Sequence, residues 1–256
     1  MDLFSFGPIA AILDGAYTLV TGLSATLAPV AGAFSGLVAV VILTVLVRAV
    51  LIPVGMSQVR AEYTRRRLAP KLVELQRKHG SDRETLTRKT VELYQVEKAS
   101  PFAGMLPLLL QLPVISLVYA VFTHPMIAGH ANSLLTEHAF GAPLGTSFVG
   151  LTGAGSAVWP AMLVYVVVLL LIAVVMTVSR TVLALPLPDS RPQAGGLLRA
   201  VSFLPYVTVV FAAFVPLAAA VYILTSAAWT VGERFVLRRL LDPERGTAPD
   251  DGMLVT

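Results

Sequence analysis

A single full charge, Arg48, stands in the middle of the apolar stretch Val38–Val59. A guanidinium in hydrocarbon costs roughly 3 kcal/mol or more, so such a residue is a functional candidate from the start. Its chemistry is that of a fixed positive donor for an anionic or polar group. Thr44 lies one helical turn before it on the same face. Similar polar stripes recur further on: Gly104, Pro107 and Gln111; Ser202 and Tyr206; Tyr222, Ser226 and Trp229. Any one of these alone is ordinary helix–helix glue. Four of them accompanying one arginine suggest a common lining.

No Asp or Glu occurs in the apolar stretches to neutralise Arg48, and Glu233 sits at a helix end. Snorkelling must cover nine residues to Ser57, roughly 14 Å at 1.5 Å per residue, which exceeds the reach of the stem. The remaining reading is a water-filled cavity within the membrane, open to the cytosol, with Arg48 at its depth. Enzyme chemistry finds no support. There is no HExxH, no Walker loop, no intramembrane Asp pair and no GxSxG with an intramembrane His. His124, His130 and His138 match no metal spacing and read as solvated loop residues. With no cysteine in the chain, thiolate sites and disulfides are excluded. No catalytic residue, metal, cofactor or bound nucleic acid is expected.

The elements that must position these residues are membrane spans. The chain has 256 residues, 56% of them hydrophobic and 13% charged, with a mean hydropathy of +0.78. That is the composition of a polytopic membrane protein. The nineteen Lys and Arg are segregated: eleven in Arg60–Lys98, three in Arg180–Arg199, four in Arg234–Arg245, and Arg48 itself. Residues 1–47 and 99–179 have none. The positive-inside rule puts the three basic regions in the cytosol.

The spans expected are 34–57, 100–122, 158–184, 200–213 and 216–233. The last two come from the uncharged run 200–232, which is about 50 Å long as one helix and too long for one crossing. A turn near Phe214-Val215-Pro216 divides it. Between the first two spans, 60–98 reads as a charged cytosolic helical hairpin. Leu68, Leu72 and Leu75 form the stripe of one arm, His79-Gly80 stops it, and Ser81-Asp82-Arg83-Glu84 offers a capping box. Pro70 is a candidate kink. Residues 1–33 read as an amphipathic helix on the outer surface, with Ile9, Ile12, Leu13, Ala16, Val20, Leu23 and Leu27 on one stripe. A cleaved signal lacks its basic start, and a sixth span, which suits the charge parity equally, is weakened by Asp14 and the threonines. Residues 241–256 are a polar cytosolic tail. The expected fold is all-α: five spans, amino terminus outside, carboxyl terminus in the cytosol.

Val47-Arg48 to Pro53 and Gln58-Val59-Arg60 resemble the first core span of the YidC/Oxa/Alb membrane protein insertases. Pro101 to Pro113, PFAGMLPLLLQLP, closely resembles the N-P-x-x-G-C-L-P-x-L-L-Q-x-P signature of that family. The basic hairpin with Pro70-Lys71-Leu72 and Leu75-Gln76-Arg77-Lys78-His79 is also similar. The resemblance covers about residues 34–240. It implies a plasma-membrane insertase and chaperone for nascent membrane proteins, acting alone or beside the Sec translocon and the ribosome. It further implies a hydrophilic groove open to cytosol and lipid, with Arg48 and Gln111 as its arginine and glutamine and Tyr222 and Ser226 on the last span; the polar stripes add Thr44, Ser202, Tyr206 and Trp229 to the expected lining. The hairpin, with Arg65, Arg66, Arg67, Lys71, Arg77 and Lys78, would receive the client. Two departures stand out: the usual Tyr-Trp of the last span reads Tyr222-Ile223, and the usual Ser-Asn reads Ser226-Ala227. The family's tail-borne ribosome docking is not expected of 241–256. From the residues alone, a transporter or channel binding a small anion at Arg48 is the alternative.

Overall fold

The computed structural model describes residues 7–100, 113, 116–127, 129–153, 159–183 and 203–241. The helices are α1 (Gly7–Ala31), α2 (Ser35–Val50), α3 (Ile52–His79), α4 (Arg83–Val96), α5 (116–121), α6 (Phe148–Gly153), α7 (Trp159–Leu183), α8 (Leu204–Phe214) and α9 (Leu217–Leu240). Two two-stranded antiparallel ladders, β1–β2 (Met126–Ile127 with His130–Ala131) and β3–β4 (His138–Ala139 with Ala142–Pro143), interrupt the all-α expectation. The chain forms two compact units. One comprises Met1–Leu51 and Leu106–Val231, the other Ile52–Met105 and Gly232–Thr256.

In the first unit, α1 and α2 pack as an antiparallel hairpin. A 3-10 turn at Gly32–Phe34 joins them, and Gly32 supplies its positive φ of 53°. Ser24 hydrogen-bonds Ser35 near the turn at 3.1 Å. Further along, Ala16 and Val20 share a cavity wall with Val40, Leu43, Thr44 and Val47. The helix expected over 1–33 is α1, and it packs along α2. Leu13, Val20 and Ser24 are buried by protein, while Ile12 faces outward. The protein contacts of this helix are with α2 and the long loop.

The described residues of that loop, 123–127 and 129–153, form a folded cap. Asn132 is buried and satisfied: its amide donates to Val121 and His124 carbonyls at 2.6 and 2.9 Å, and its oxygen accepts from the Leu134 amide. Phe140 and Gly141 turn the β3–β4 hairpin, both with positive φ, the pattern of a two-residue primed turn. A phenylalanine there is strained, and its ring rests against Phe34 with centroids 4.2 Å apart. The cap also completes α9. The amides of Leu217 and Ala218, which lack intrahelical acceptors at a helix start, donate to Thr146 and Leu144 carbonyls. Tyr165 of α7 reaches the carbonyls of Pro143 and Thr146 at 2.9 and 2.8 Å. The α8–α9 turn at Val215-Pro216 thus lies against the cap, where Ser147 and Pro216 form a bridge.

Two described stretches are long and apolar enough to cross a membrane, Ala10–Val50 and Trp159–Thr181, with mean hydropathies of 2.6 and 3.0; Pro205–Phe214 is a shorter apolar helix. One face of α7, with Leu163, Val167, Leu170, Val174 and Val178, is exposed, which suits lipid.

The span expected over 34–57 is two helices, not one. The α2 ladder ends at Leu51, whose amide bonds the carbonyls of both Val47 and Arg48. Pro53 cannot donate to the Ala49 carbonyl, which weakens the ladder at this break. In the second unit, α3 then runs unbroken to His79 with Pro70 inside it. Asp82, not Ser81, caps α4, accepting from the Glu84 and Thr85 amides. Residues 101–112, including most of the second-span signature, and the tail 242–256 lie outside the described residues.

Candidate functional site

Arg48 sits in the last turn of α2, three residues before the break. A cation there is favoured by the helix dipole. Its Nε donates to Ser226 Oγ at 2.9 Å, and a terminal guanidinium nitrogen contacts the same oxygen. Ser226 is buried on α9, with Tyr222 one turn before it and Thr230 one turn after. Together with Arg48 these residues line an open cavity of about 470 Å³. Its other lining residues are Val207, Thr208 and Phe211 of α8 and Ile223 and Ala227 of α9. The wall is thus amphipathic. Arg48, Ser226, Thr208 and Thr230 offer polar contacts, whereas Val207 and Phe211 expose apolar surface. Arg48 is the one charged side chain among the described residues of this lining.

Three expected lining residues, Arg48, Tyr222 and Ser226, are brought together here. Thr44 is not among them. Its hydroxyl bonds back to the Val40 carbonyl at 2.6 Å, and the residue faces a separate apolar cavity of about 90 Å³ lined by parts of α1, α2 and α5. Tyr222 borders both cavities. Tyr206 bonds Thr177 of α7 at 3.0 Å instead. Trp229 lies off the lining, and its indole nitrogen is buried without a hydrogen-bond partner among the described residues. Gln111 and Ser202 lie outside the described residues. Thr208 and Thr230 were missed. Thr230 continues the Tyr222–Ser226 stripe at i+4 and was legible. Thr208 lies two residues from Tyr206 and shows no periodic signal.

On the hairpin, the basic residues are tied to carboxylates. Arg67 and Lys71 both bond Glu97, Lys78 bonds Glu74 at 2.6 Å, and Arg66 bonds Glu62 at 3.2 Å. Arg65 and Arg77 are exposed on α3. The Lys71 hydrogen bond holds the Glu97 carboxyl below the usual carboxylate range, and Lys78 does the same for Glu74. Between the arms lies a groove of about 330 Å³, with Leu75, Leu93 and Val96 among Lys71, Lys78 and Lys89. No residue of α4 is fully buried.

The model of the family described as "60Kd inner membrane protein" matches residues 27–244. The chain belongs to this family. The match includes α2, the hairpin, the cap and α9, so both walls of the Arg48 cavity fall within it. Among the family's proteins named "Membrane protein insertase YidC", that of Allorhizobium ampelinum is 39% identical over 126 residues, covering 49% of this chain and 20% of the relative. That of Histophilus somni strain 2336 is 28% identical over 204 residues, 80% of this chain and 33% of the relative. That of Anaeromyxobacter sp. is 42% identical over 82 residues, 32% and 15% respectively. The aligned part of the chain spans about a fifth of the length of the Allorhizobium relative and a third of the Histophilus one. The family is one of membrane proteins, which accords with the apolar helices.

Proposed function

We propose that this chain is a membrane protein insertase: it receives a client segment in the Arg48 cavity and releases it sideways into lipid. The observation that carries the reading is the cavity's two-sided wall. A guanidinium anchored on Ser226 faces an apolar surface built by Val207 and Phe211. A polar client flank gains hydrogen-bonding partners there while its apolar helix meets a surface continuous with hydrocarbon. The energy comes from transferring the apolar helix to lipid, about 25 cal/mol per Å² of apolar surface removed from water. The names of the relatives support the reading. Nascent membrane proteins are its clients; the Sec translocon and the ribosome are candidate partners.

Charge segregation supports a cytosolic side for Arg60–Lys98 and an outer side for the cap. The α1–α2 pairing favours α1 as a sixth crossing with its start on the cytosolic side, because 25 residues at 1.5 Å each make a helix of about 37 Å. The outside amino terminus expected from sequence is the competing arrangement, and thiol labelling at Gly7 separates the two.

Insertion of a small single-span client into liposomes containing only this protein tests the function. Insertion above the level of empty liposomes supports it. Uptake of a small anion with no client insertion would instead establish a transporter or channel.

A further inference from the structure

In the second unit, the start of α3 and the end of α9 run side by side. Gly55 lies against Glu233 so closely that a Cβ at Gly55 would overlap the carboxylate. Two turns further along α3, Glu62 bonds Arg238. The next residue, Tyr63, donates its hydroxyl to the backbone carbonyl of Arg238 at 2.9 Å. Both helices therefore advance together from Gly55/Glu233 to Glu62/Arg238. Val59 and Leu237, at the intervening turns, are buried.

The pair differs from its neighbours. Glu62 and Arg238 side chains are only 14% and 17% exposed, whereas Arg66, which also bonds Glu62, is 40% exposed. An exposed i,i+4 pair contributes little. Removing one partner from a largely buried pair leaves an uncompensated charge and is disruptive. Glu62 is also the lone carboxylate among Arg60, Arg65, Arg66 and Arg67, so it is the one anion in a strongly cationic stretch. The Tyr63 bond to a main-chain oxygen adds a register marker that does not depend on charge.

We propose that Glu62 and Arg238 are a positioning clamp that fixes the charged hairpin's first arm in register on the terminal helix, and that client capture by the hairpin depends on this clamp. The second half of the statement rests on the insertase reading; the first does not. α9 is one helix from Leu217 to Leu240, so the clamped end and the cavity residues Tyr222 and Ser226 belong to the same element.

The test uses the full chain in liposomes. Spin labels go on cysteines introduced at Thr87 and Leu240, both exposed, and the label–label distance distribution is measured. Client insertion is followed in parallel as a function of client concentration. Glu62→Gln and Arg238→Gln should each broaden the distance distribution. Each should also raise the half-saturating client concentration by roughly three- to tenfold while leaving the maximal rate within about twofold, the signature of weakened binding without altered chemistry. Arg66→Ala, which removes only the exposed i,i+4 partner of Glu62, should leave the distance distribution unchanged. The exchanged chain, Glu62→Arg with Arg238→Glu, should recover the narrow distribution. If the exchanged chain does not accumulate, Arg238→Lys decides, since it keeps the charge and must keep the distribution narrow. Narrow distributions in both single variants overturn the clamp, as does a rescue variant as broad as they are. A chain whose labels report the clamp but which inserts no client in any form refutes the insertase reading and leaves the clamp standing.

Discussion

Arg48 and Ser226, 178 positions apart, are joined by a 2.9 Å hydrogen bond from the guanidinium Nε to the serine Oγ. The bond fixes the depth and direction of the cation, because Ser226 is buried and cannot follow a wandering side chain. Replacing Ser226 by Ala removes the acceptor but leaves the guanidinium in an open cavity where water can serve. The cost should therefore fall near the low end for a charge-assisted bond, about 1.5 kcal/mol. Thermal unfolding in detergent should show a drop of a few degrees, with Ser226→Thr closer to the parent. An unchanged midpoint for Ser226→Ala would mean the bond contributes nothing net.

Glu137 gives a pH prediction. It is the sole carboxylate of the cap, lying against Gly36 and accepting from Ser24 at 3.2 Å. Burial pushes its carboxyl above the ordinary value, with the Ser24 hydroxyl partly opposing. A raised folded-state value means the folded chain holds the proton more tightly than the unfolded chain. Its stabilising contribution is full below the unfolded value and is lost as pH rises through the folded one. Glu137→Gln does not titrate and keeps an oxygen for Ser24. The difference in melting midpoint, variant minus parent, should rise between pH 4 and pH 7. A falling difference would show that the first turn of α2, at Ser35 and Gly36, stabilises the anion more than burial penalises it.

What the sequence could disclose follows from how far each interaction reaches. Tyr222 and Ser226 were legible as cavity residues because i,i+4 spacing puts them on one face of one helix. Thr44 obeyed the same rule and failed, since periodicity cannot say whether a hydroxyl turns to a cavity or back to its own Val40 carbonyl. The helix break at Leu51 was written in Pro53, but a hydropathy run hides it. The Asp82 cap is local, and only its position within Ser81–Glu84 was misassigned. Three contacts left no local trace: Glu62 with Arg238, Ser24 with Glu137, and α1 with α2. Each joins faces that look self-sufficient in one dimension. The amphipathic stripe of α1 is the same for a lipid surface or a helix partner.

The α1 pairing makes topology testable, since every cysteine in this chain can be an introduced one. Single cysteines at Gly7, Gly80 and Thr152 are all exposed in the fold, and nothing crowds a side chain at Gly7. An impermeant thiol reagent on intact cells should label the one at Thr152 and spare those at Gly80 and Gly7. Labelling at Gly7 would return α1 to the outer surface. Labelling at Gly80 would invert the whole arrangement.

The charge of Arg48 should be visible in which clients are served. At roughly 10 Å in a partly hydrated site with an effective dielectric near 20, one opposite charge gains about 1–2 kcal/mol. Water in an open cavity reduces this further, so the effect should be several-fold, not absolute. Consider clients that differ only in the charge of the translocated tail. Arg48→Lys keeps the charge and loses the planar fork that meets Ser226, so it should retain most activity and the same ranking of tails. Arg48→Ala should lower insertion of acidic tails more than neutral ones. Arg48→Glu should invert the ranking, favouring basic tails. Equal loss for all tails would make Arg48 a structural residue, holding α2 to α9 through Ser226. That outcome predicts in turn that Ser226→Ala reproduces the loss, which the acidic-tail mechanism does not require. Full activity of Arg48→Ala on every tail would remove the positive cavity from the mechanism, and the apolar wall of Val207 and Phe211 would then carry client recognition alone.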